Sequence, residues 1–183
     1  MFISSLLVVI LGALCSSSYA TEVGPKLGKL ASQKKIKQWD TDIFPNGRGL
    51  PKGKGNVTEG KKVYQKYCLS CHGVDGSGDS ADELAGAMHS LTDNPPDKTI
   101  GTYWPYATTL FDFTRRSMPL NSPGILSNNQ LYAVTAYMLY LNGIVSEDKV
   151  LNVNNLAKIK MPNRNGFINI YKKQKNTNSL VSQ

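Results

Sequence analysis

The residues best suited to chemistry form a five-residue run, Cys68-Leu69-Ser70-Cys71-His72. Two thiols at this spacing can add across the two vinyl groups of one porphyrin, and the histidine that follows can bind its iron. The alternatives are a disulfide, a redox-active cysteine pair and half of a zinc site. Zinc needs about four ligands, whereas the whole chain has three cysteines and two histidines. The run therefore predicts one covalently attached c-type haem, with thioethers at Cys68 and Cys71 and His72 as an iron ligand.

An iron bound by His72 takes a sixth ligand unless it binds a gas or a peroxide. The candidates after the first residue are Met88, His89, Met118, Met138 and Met161. Met118 precedes Pro119 in a loop whose prolines prevent a helix from continuing, and an extended segment of this kind can hold a thioether against iron. We therefore predict Met118 as the sixth ligand. Met138 lies in a helical pattern and is expected in the hydrophobic core. His89 is the alternative, and ligation by two histidines would lower the reduction potential.

Four residues between the two predicted ligands are candidate donors to the haem propionates, which need partners if they are partly buried. They are Tyr103, Trp104, Arg115 and Arg116. For Trp104 the alternative is ordinary packing, and the two arginines could equally face solvent or a docking partner. The glycine-rich residues 73–78 lack the Lys-Ser/Thr pair of a phosphate loop and the glutamate of an EF-hand, so we expect a tight turn there.

Helical patterns frame these residues. Asn56 and Glu59 form a capping box, and the face that starts at Gly60 continues at helical spacing to Cys71. A second capping box begins at Ser127, and Asn142-Gly143 ends that helix. We also expect a short helix from about Thr108 to Arg116, close approach of Tyr137 to Gly60, and essentially no sheet. The predicted fold class is all-α.

The arrangement resembles the class I cytochrome c family from Asn56 to Ile144: a first helix that ends in the haem motif, a methionine loop and a last helix. A narrower resemblance covers nearly all of the chain after residue 20. Its signatures are Gln38-Trp39-Asp40, Gly49-Leu50-Pro51, the stretch 101–110, Arg116-Ser117-Met118-Pro119, the stretch 132–137, Leu141-Asn142-Gly143-Ile144 and Lys160-Met161-Pro162-Asn163-Arg164. These resemble the monohaem cytochrome subunits of bacterial sulfite dehydrogenases and of the sulfur dehydrogenase of thiosulfate oxidation.

This resemblance implies a function in electron transport. A molybdenum-cofactor subunit would oxidise the sulfur compound, and this chain would accept its electrons and pass them to a downstream cytochrome c or oxidase. The roles that carry over are those of Cys68, Cys71, His72 and Met118, and no catalysis is expected from this chain alone. The alternatives are a free-standing soluble carrier and a haem enzyme or sensor with an exchangeable sixth ligand.

Residues 1–20 have the pattern of a secretory signal peptide. They contain no charged side chain, an almost unbroken apolar run extends from Phe2 to Cys15, and Ser18 and Ala20 are small residues at positions −3 and −1 of a cleavage site. We expect a periplasmic protein that does not span the membrane after cleavage. An uncleaved membrane anchor is one alternative. A lipoprotein attached through Cys15 is the other, although Leu14 stands where lipoprotein signals have a small residue.

We predict an N-terminal arm at 21–55, a haem domain at 56–145 and a C-terminal arm at 146–183 with a mobile basic tail from Tyr171. Lys and Arg number 21 against 13 Asp and Glu, and the excess lies in the flanking segments. We expect the arms to wrap the haem domain or to engage a partner subunit. Export and haem argue against nucleic-acid binding, so the lysines are expected to steer the chain toward an acidic redox partner.

Overall fold

A computed structural model describes residues 27–170, which fall into two compact units divided after Asp40. The predicted signal segment, residues 1–20, and the predicted tail, Tyr171–Gln183, lie outside the described residues. In the first unit, helix α1 spans Gln33–Trp39, and the Ser32 side chain caps it by accepting from the Lys35 N–H. None of the residues of α1 is buried.

The second unit is built mainly from helices, as predicted. They are α2 (Val57–Tyr67), α3 (Leu69–His72), α4 (Ile100–Tyr103), α5 (Ala107–Ser117) and α6 (Asn128–Leu141), with 3₁₀ turns at Val74–Gly76 and Leu156–Lys158. Strands β1 (Lys54–Asn56) and β2 (Val150–Asn152) pair antiparallel, with Gly55 opposite Leu151. This two-stranded sheet departs from the expectation of essentially no sheet. Each strand has three residues, too few to show the alternation by which a strand is recognised.

Both predicted capping boxes are present. At the start of α2, the Glu59 N–H donates to Asn56 Oδ1 at 2.8 Å and the Asn56 N–H donates to Glu59 Oε2 at 3.3 Å. At the start of α6, the Gln130 N–H donates to Ser127 Oγ at 3.3 Å and the Ser127 N–H donates to Gln130 Oε1 at 2.9 Å. Each box pairs backbone donors that the first helical turn leaves without partners.

Helix α2 and strand β1 pack closely against α6 because each has a glycine, which lacks a Cβ, at the contact. A Cβ on Gly60 would lie 2.0 Å from the Ala133 carbonyl oxygen and 2.8 Å from Tyr137 Cβ, and one on Gly55 would lie 2.3 Å from the Ala133 nitrogen. The predicted approach of Tyr137 to Gly60 is thus confirmed, although the tightest contact is with Ala133 of α6. Glycine is required at this crossing for space.

The core is centred on α6, of which residues 131–139 are all buried. Phe111 of α5, Ile100 of α4 and Tyr64 of α2 pack into the same core. So do residues of the C-terminal segment, namely Leu151, Leu156 and Met161. The segment after residue 145 therefore packs against the helices through apolar side chains. Within residues 27–170, no helix combines the length and the apolar composition that crossing a membrane requires.

The haem motif does not continue α2, contrary to the prediction of one helical face through Cys71. The backbone leaves helical geometry at Cys68, where φ is −120°, and the four-residue α3 follows. The Cys68 carbonyl accepts from both the Cys71 and the His72 N–H, at 3.1 and 3.0 Å. Because of this break Cys71 is exposed, while Cys68 stays partly buried.

Candidate haem site

A cavity with an almost wholly apolar lining lies beside the haem motif. Its lining residues are Tyr67, Cys68, His72, Leu84, Ile100, Trp104, Leu110, Phe113, Thr114, Met118, Pro119 and Met138. The hydroxyl of Thr114 is already paired, since it donates to the Leu110 carbonyl at 2.8 Å. Of the residues predicted for the site, the fold brings Cys68, His72, Trp104 and Met118 to this cavity.

The ring of His72 is oriented by a backbone carbonyl. Its Nδ1 lies 2.9 Å from the carbonyl oxygen of Asp82. A carbonyl can only accept, so Nδ1 carries the proton and the lone pair of Nε2 is free to bind a metal. Such a second hydrogen bond fixes the tautomer and increases the basicity of a histidine ligand. Sequence reasoning could not identify this acceptor, because any residue has a carbonyl and no side chain marks it.

Two tyrosines hold the turn that follows the haem motif. Tyr64 of α2 is fully buried, and its hydroxyl donates to the carbonyls of Gly73 at 2.9 Å and His72 at 3.3 Å. Burial raises the pKa of Tyr64 to about 12, so the phenol stays protonated as a donor. The Tyr137 hydroxyl of α6 donates to Asp75 Oδ1 at 2.8 Å, and the two rings meet edge to face at 5.3 Å. The glycine-rich segment is thus a turn, as expected, and it is fastened to α2 and α6.

The two cysteines form no disulfide and lie in different surroundings. Burial raises the pKa of the Cys68 thiol to about 11, and the nearby Cys71 adds to the effect. Nucleophilic cysteines of redox-active pairs instead have a lowered pKa, which keeps them as thiolates at neutral pH. The environment of Cys68 therefore disfavours the redox-pair interpretation.

Met118 lies where α5 ends and an extended segment begins. Its N–H donates to the Thr114 carbonyl at 3.1 Å, its own φ and ψ are −121° and 146°, and its side chain lines the cavity beside Pro119. Met138 reaches the same cavity from α6 and is also buried in the core.

The other three ligand candidates do not line this cavity. Met88 is 88% exposed, and Met161 is buried in the core. His89 is exposed, and its ring and its N–H both contact the Asp97 carboxylate, at 3.3 and 2.8 Å. These contacts lower the pKa of Asp97.

The aromatic candidates for propionate donors occupy different places. Trp104 lines the cavity and meets the ring of Phe113 edge to face at 5.6 Å. Tyr103 instead packs its ring against Phe167 at 5.3 Å, and its carbonyl accepts from Asn163 Nδ2 at 2.7 Å. Tyr103 is not among the residues that line the cavity.

Both arginine candidates are bonded to protein groups and do not line the cavity. Arg115 donates to the Thr41 carbonyl at 3.4 Å. Arg116 donates to Asp112 Oδ1 through Nε and to Asp42 Oδ1 through Nη2, each at 2.9 Å. The hydrogen bond with Asp112 is the main cause of the raised pKa of Arg116. The arginines thus fasten residues 41–42 to α5.

Several residues that build the site carry no signal in the sequence. Leu84, Ile100 and Phe113 line the cavity, yet they are ordinary apolar residues at scattered positions. Asn142 was predicted only as part of a helix stop. Its amide contacts three segments around the cavity, and only its position beside Gly143 at a helix end could have drawn attention to it.

Comparison with known proteins identifies the family. The family model described as "Cytochrome c" matches residues 57–142. The crystal structure of the sulfane dehydrogenase SoxCD from Paracoccus pantotrophus includes a chain of 41% sequence identity, aligned over 87% of this chain and 79% of that one, with a TM-score of 0.74. The chain belongs to the cytochrome c family. It is an electron-transfer haem protein, and the family implies a covalently bound c-type haem with iron.

A curated relative gives a shorter match to this cytochrome. Thiosulfate dehydrogenase of Stutzerimonas stutzeri (strain A1501) is 32% identical over 88 residues, which are 48% of this chain. The match spans only 28% of the length of that protein.

The residues around the cavity of the cytochrome fit the cofactor of its family. Two thiols stand at the spacing of the haem motif, the Nε2 lone pair of His72 is free, and the thioether of Met118 lies in the same cavity. Imidazole and thioether are ligands that haem iron takes in this family. The apolar lining suits a macrocycle that must be kept from water.

Proposed function

We propose that this cytochrome is the haem subunit of a sulfite or sulfur dehydrogenase, accepting electrons from a molybdenum-cofactor subunit. It passes them in the periplasm to another cytochrome c or to an oxidase. One observation carries the proposal. The likeness to the SoxCD sulfane dehydrogenase extends over 87% of the chain, whereas the family model matches residues 57–142. The likeness therefore includes segments that a generic cytochrome domain does not need.

The proposed roles at the site follow from the chemistry of each side chain. Cys68 and Cys71 would attach the porphyrin, and His72 Nε2 and the Met118 sulfur would bind its iron. When bound, the haem supplies a one-electron redox couple. The Asp82 carbonyl accepts the hydrogen bond from His72 Nδ1. Trp104, Leu110 and the other apolar lining residues exclude water from the cavity. If His72 and Met118 both bind the iron, no position is left for a substrate, and the sulfur compound would be oxidised on the partner subunit.

Electron counting supports a subunit that relays single electrons. Oxidation of sulfite to sulfate releases two electrons, whereas a chain with one haem accepts one. The cytochrome must therefore accept and release an electron twice for each sulfite oxidised. A site in which the protein would supply both iron ligands suits this role, because neither ligand would have to be exchanged in the cycle.

The test is purification of the tagged full-length chain from its native host. We expect molybdenum and iron in near-equal amounts, and reduction of the haem when sulfite or thiosulfate is added. Cells grown with tungstate in place of molybdate provide the control, in which the haem stays oxidised. A haem protein without molybdenum that neither sulfur compound reduces would contradict the proposal and indicate a free-standing carrier.

Export is tested separately by mass spectrometry of the purified chain. Cleavage after Ala20 gives a mature protein that begins at Thr21. An intact N-terminus would indicate a membrane anchor, and a lipid on Cys15 would indicate a lipoprotein.

A further inference from the structure

Asn142, which caps the C-terminal end of α6, uses its whole carboxamide to join three segments. Its Nδ2 donates to the Met138 carbonyl at 2.8 Å and to the Leu84 carbonyl at 3.0 Å. Its Oδ1 accepts from the Gly101 N–H at 2.9 Å. With two carbonyls at the nitrogen and one N–H at the oxygen, the orientation of the amide is determined. A single side chain therefore fastens α6, α4 and the segment that contains Leu84.

Each of the three segments supplies part of the cavity wall. Leu84 and Met138 both line the cavity, and so does Ile100, the residue before Gly101. Asn142 itself does not line the cavity. Asn142 therefore lies behind the cavity wall, and its hydrogen bonds position the segments that carry the lining residues Leu84, Ile100 and Met138.

The Leu84 segment also provides the acceptor for His72. Asp82, two residues before Leu84, is the residue whose carbonyl accepts from His72 Nδ1. The Leu84 carbonyl accepts a second bond from the Ile100 N–H at 3.1 Å, and the Leu84 N–H donates to the Gly76 carbonyl at 2.7 Å. The bonds with Ile100 and Gly76 join backbone to backbone. Asn142 is the residue of α6 whose side chain bonds to this segment.

We infer that Asn142 is a positioning residue for the iron ligand His72. It holds the segment 82–84 so that the Asp82 carbonyl stays in place to accept the hydrogen bond from His72 Nδ1. It thereby influences the basicity of the His72 imidazole. The inference rests on the proposed function, because it takes His72 as an axial ligand. A weaker bond at Nδ1 makes the imidazole a poorer donor to ferric iron. The reduction potential then moves to more positive values.

The experiment uses the full-length haem-loaded protein and its Asn142→Ala variant. By proton NMR of the reduced protein we expect the His72 Nδ1 proton to exchange with water at least about tenfold faster, as loss of roughly one supporting hydrogen bond implies. The reduction potential should become more positive while the haem remains six-coordinate.

Asn155→Ala is the matched control. Asn155 also closes a turn with its carboxamide, since Oδ1 accepts from the Asn152 N–H and Nδ2 donates to the Val150 carbonyl, both at 2.8 Å. None of these residues lines the cavity. We expect wild-type exchange and a wild-type potential in this variant. Equal acceleration in Asn155→Ala would overturn the inference, because a general loss of stability would then explain the effect.

Gly101→Ala tests the same contact from the other side if Asn142→Ala does not load haem. A Cβ on Gly101 would lie 2.7 Å from Asn142 Oδ1, while alanine favours the helix in which it stands. Faster exchange is expected here too. If His72 is coordinated in the wild type and the proton exchanges at the wild-type rate in the variants that load haem, the inference alone fails. If His72 is not coordinated in the wild type, the proposed function fails and the inference with it.

Discussion

The segments that carry the two proposed ligands are held in different ways. Around His72, side chains of other helices bond to the segment: Tyr64 of α2 donates to the His72 carbonyl, and from much farther along the chain Tyr137 donates to Asp75 and Asn142 to Leu84. Between residues 118 and 125, which the structure describes throughout, the backbone bonds are local ones, such as Met118 to Thr114 and Ser122 to Pro119. Leu120 in this segment is 81% exposed.

The difference indicates which side of the cavity opens first. Local opening has a low free-energy cost where buried contacts are few and backbone bonds are local. The Met118 segment meets this description, and the His72 segment does not. We therefore expect substitutions near His72 to act through the fold, and substitutions at Met118 to act on the ligand alone.

The largest effect is expected from His72→Ala. Loss of the imidazole removes an axial ligand, so the spectrum of six-coordinate low-spin haem should disappear. Absorption spectroscopy of the purified protein measures this. His89→Ala is the control, because His89 is the other histidine of the chain and lies with Asp97 away from the cavity lining. A normal spectrum in His72→Ala, or its loss in His89→Ala, would reverse the assignment.

Met118→Ala should leave the haem covalently attached and change its sixth ligand. The weak sulfur-to-iron band of the oxidised protein should vanish, and the reduction potential should fall, because a methionine ligand raises it. Spectroelectrochemistry records both quantities. Met88→Ala, at an exposed position, is expected to change neither. Loss of the band in Met138→Leu instead would show that Met138 is the ligand.

Gly60→Ala tests the helix crossing that supports the His72 segment. The new Cβ would lie 2.0 Å from the backbone oxygen of Ala133, which cannot move independently of α6. We expect a loss of about 1–3 kcal/mol in the free energy of unfolding, measured by denaturant titration.

Gly124→Ala, beyond Met118, is the matched variant for the other segment. A Cβ there meets no atom within 4 Å, and φ is +79°. Only the left-handed backbone opposes alanine, at a cost of about 1–2 kcal/mol. If Gly124→Ala destabilised the protein more than Gly60→Ala, the two segments would not differ as described.

Tyr64→Phe is expected to have an effect about as small as that of Gly124→Ala. The ring and its packing stay, but the carbonyls of Gly73 and His72 lose their hydroxyl donor. We expect the free energy of unfolding to fall by about 1–2 kcal/mol, with the Met118 band preserved. Tyr140→Phe is the control on α6, where the tyrosine is 37% exposed. Equal losses in the two variants would show that the Tyr64 hydroxyl does not fasten the turn.

Helix starts and the chemistry of the haem motif could be read from the sequence because they depend on neighbours in the chain. A capping box needs only residues three apart, and both Asn56–Glu59 and Ser127–Gln130 form as predicted. The position of Gly60 likewise pointed to a close helix crossing. The break at Cys68 was missed, since periodicity continues across it although the backbone does not.

Long-range partners could not be read in this way. Arg115 and Arg116 were candidate donors to the haem propionates because they are cationic and precede Met118. In the structure they are hydrogen-bonded to residues 41 and 42, more than 70 positions earlier in the chain. The strands β1 and β2 pair across nearly a hundred residues. Pairings at such separations depend on how the helices pack, and residue type alone does not encode them.

The sequence by itself determined the haem motif, the order of the helices and Met118 as the favoured sixth ligand, because these rest on residue type and local spacing. Only the tertiary structure decided that the Asp82 carbonyl accepts a hydrogen bond from His72 Nδ1, that Asn142 lies behind the cavity wall, and that Trp104 rather than Tyr103 lines the cavity. The physical reason is that backbone groups are the same at every residue. The packing of the core determines which carbonyl accepts a hydrogen bond from which donor.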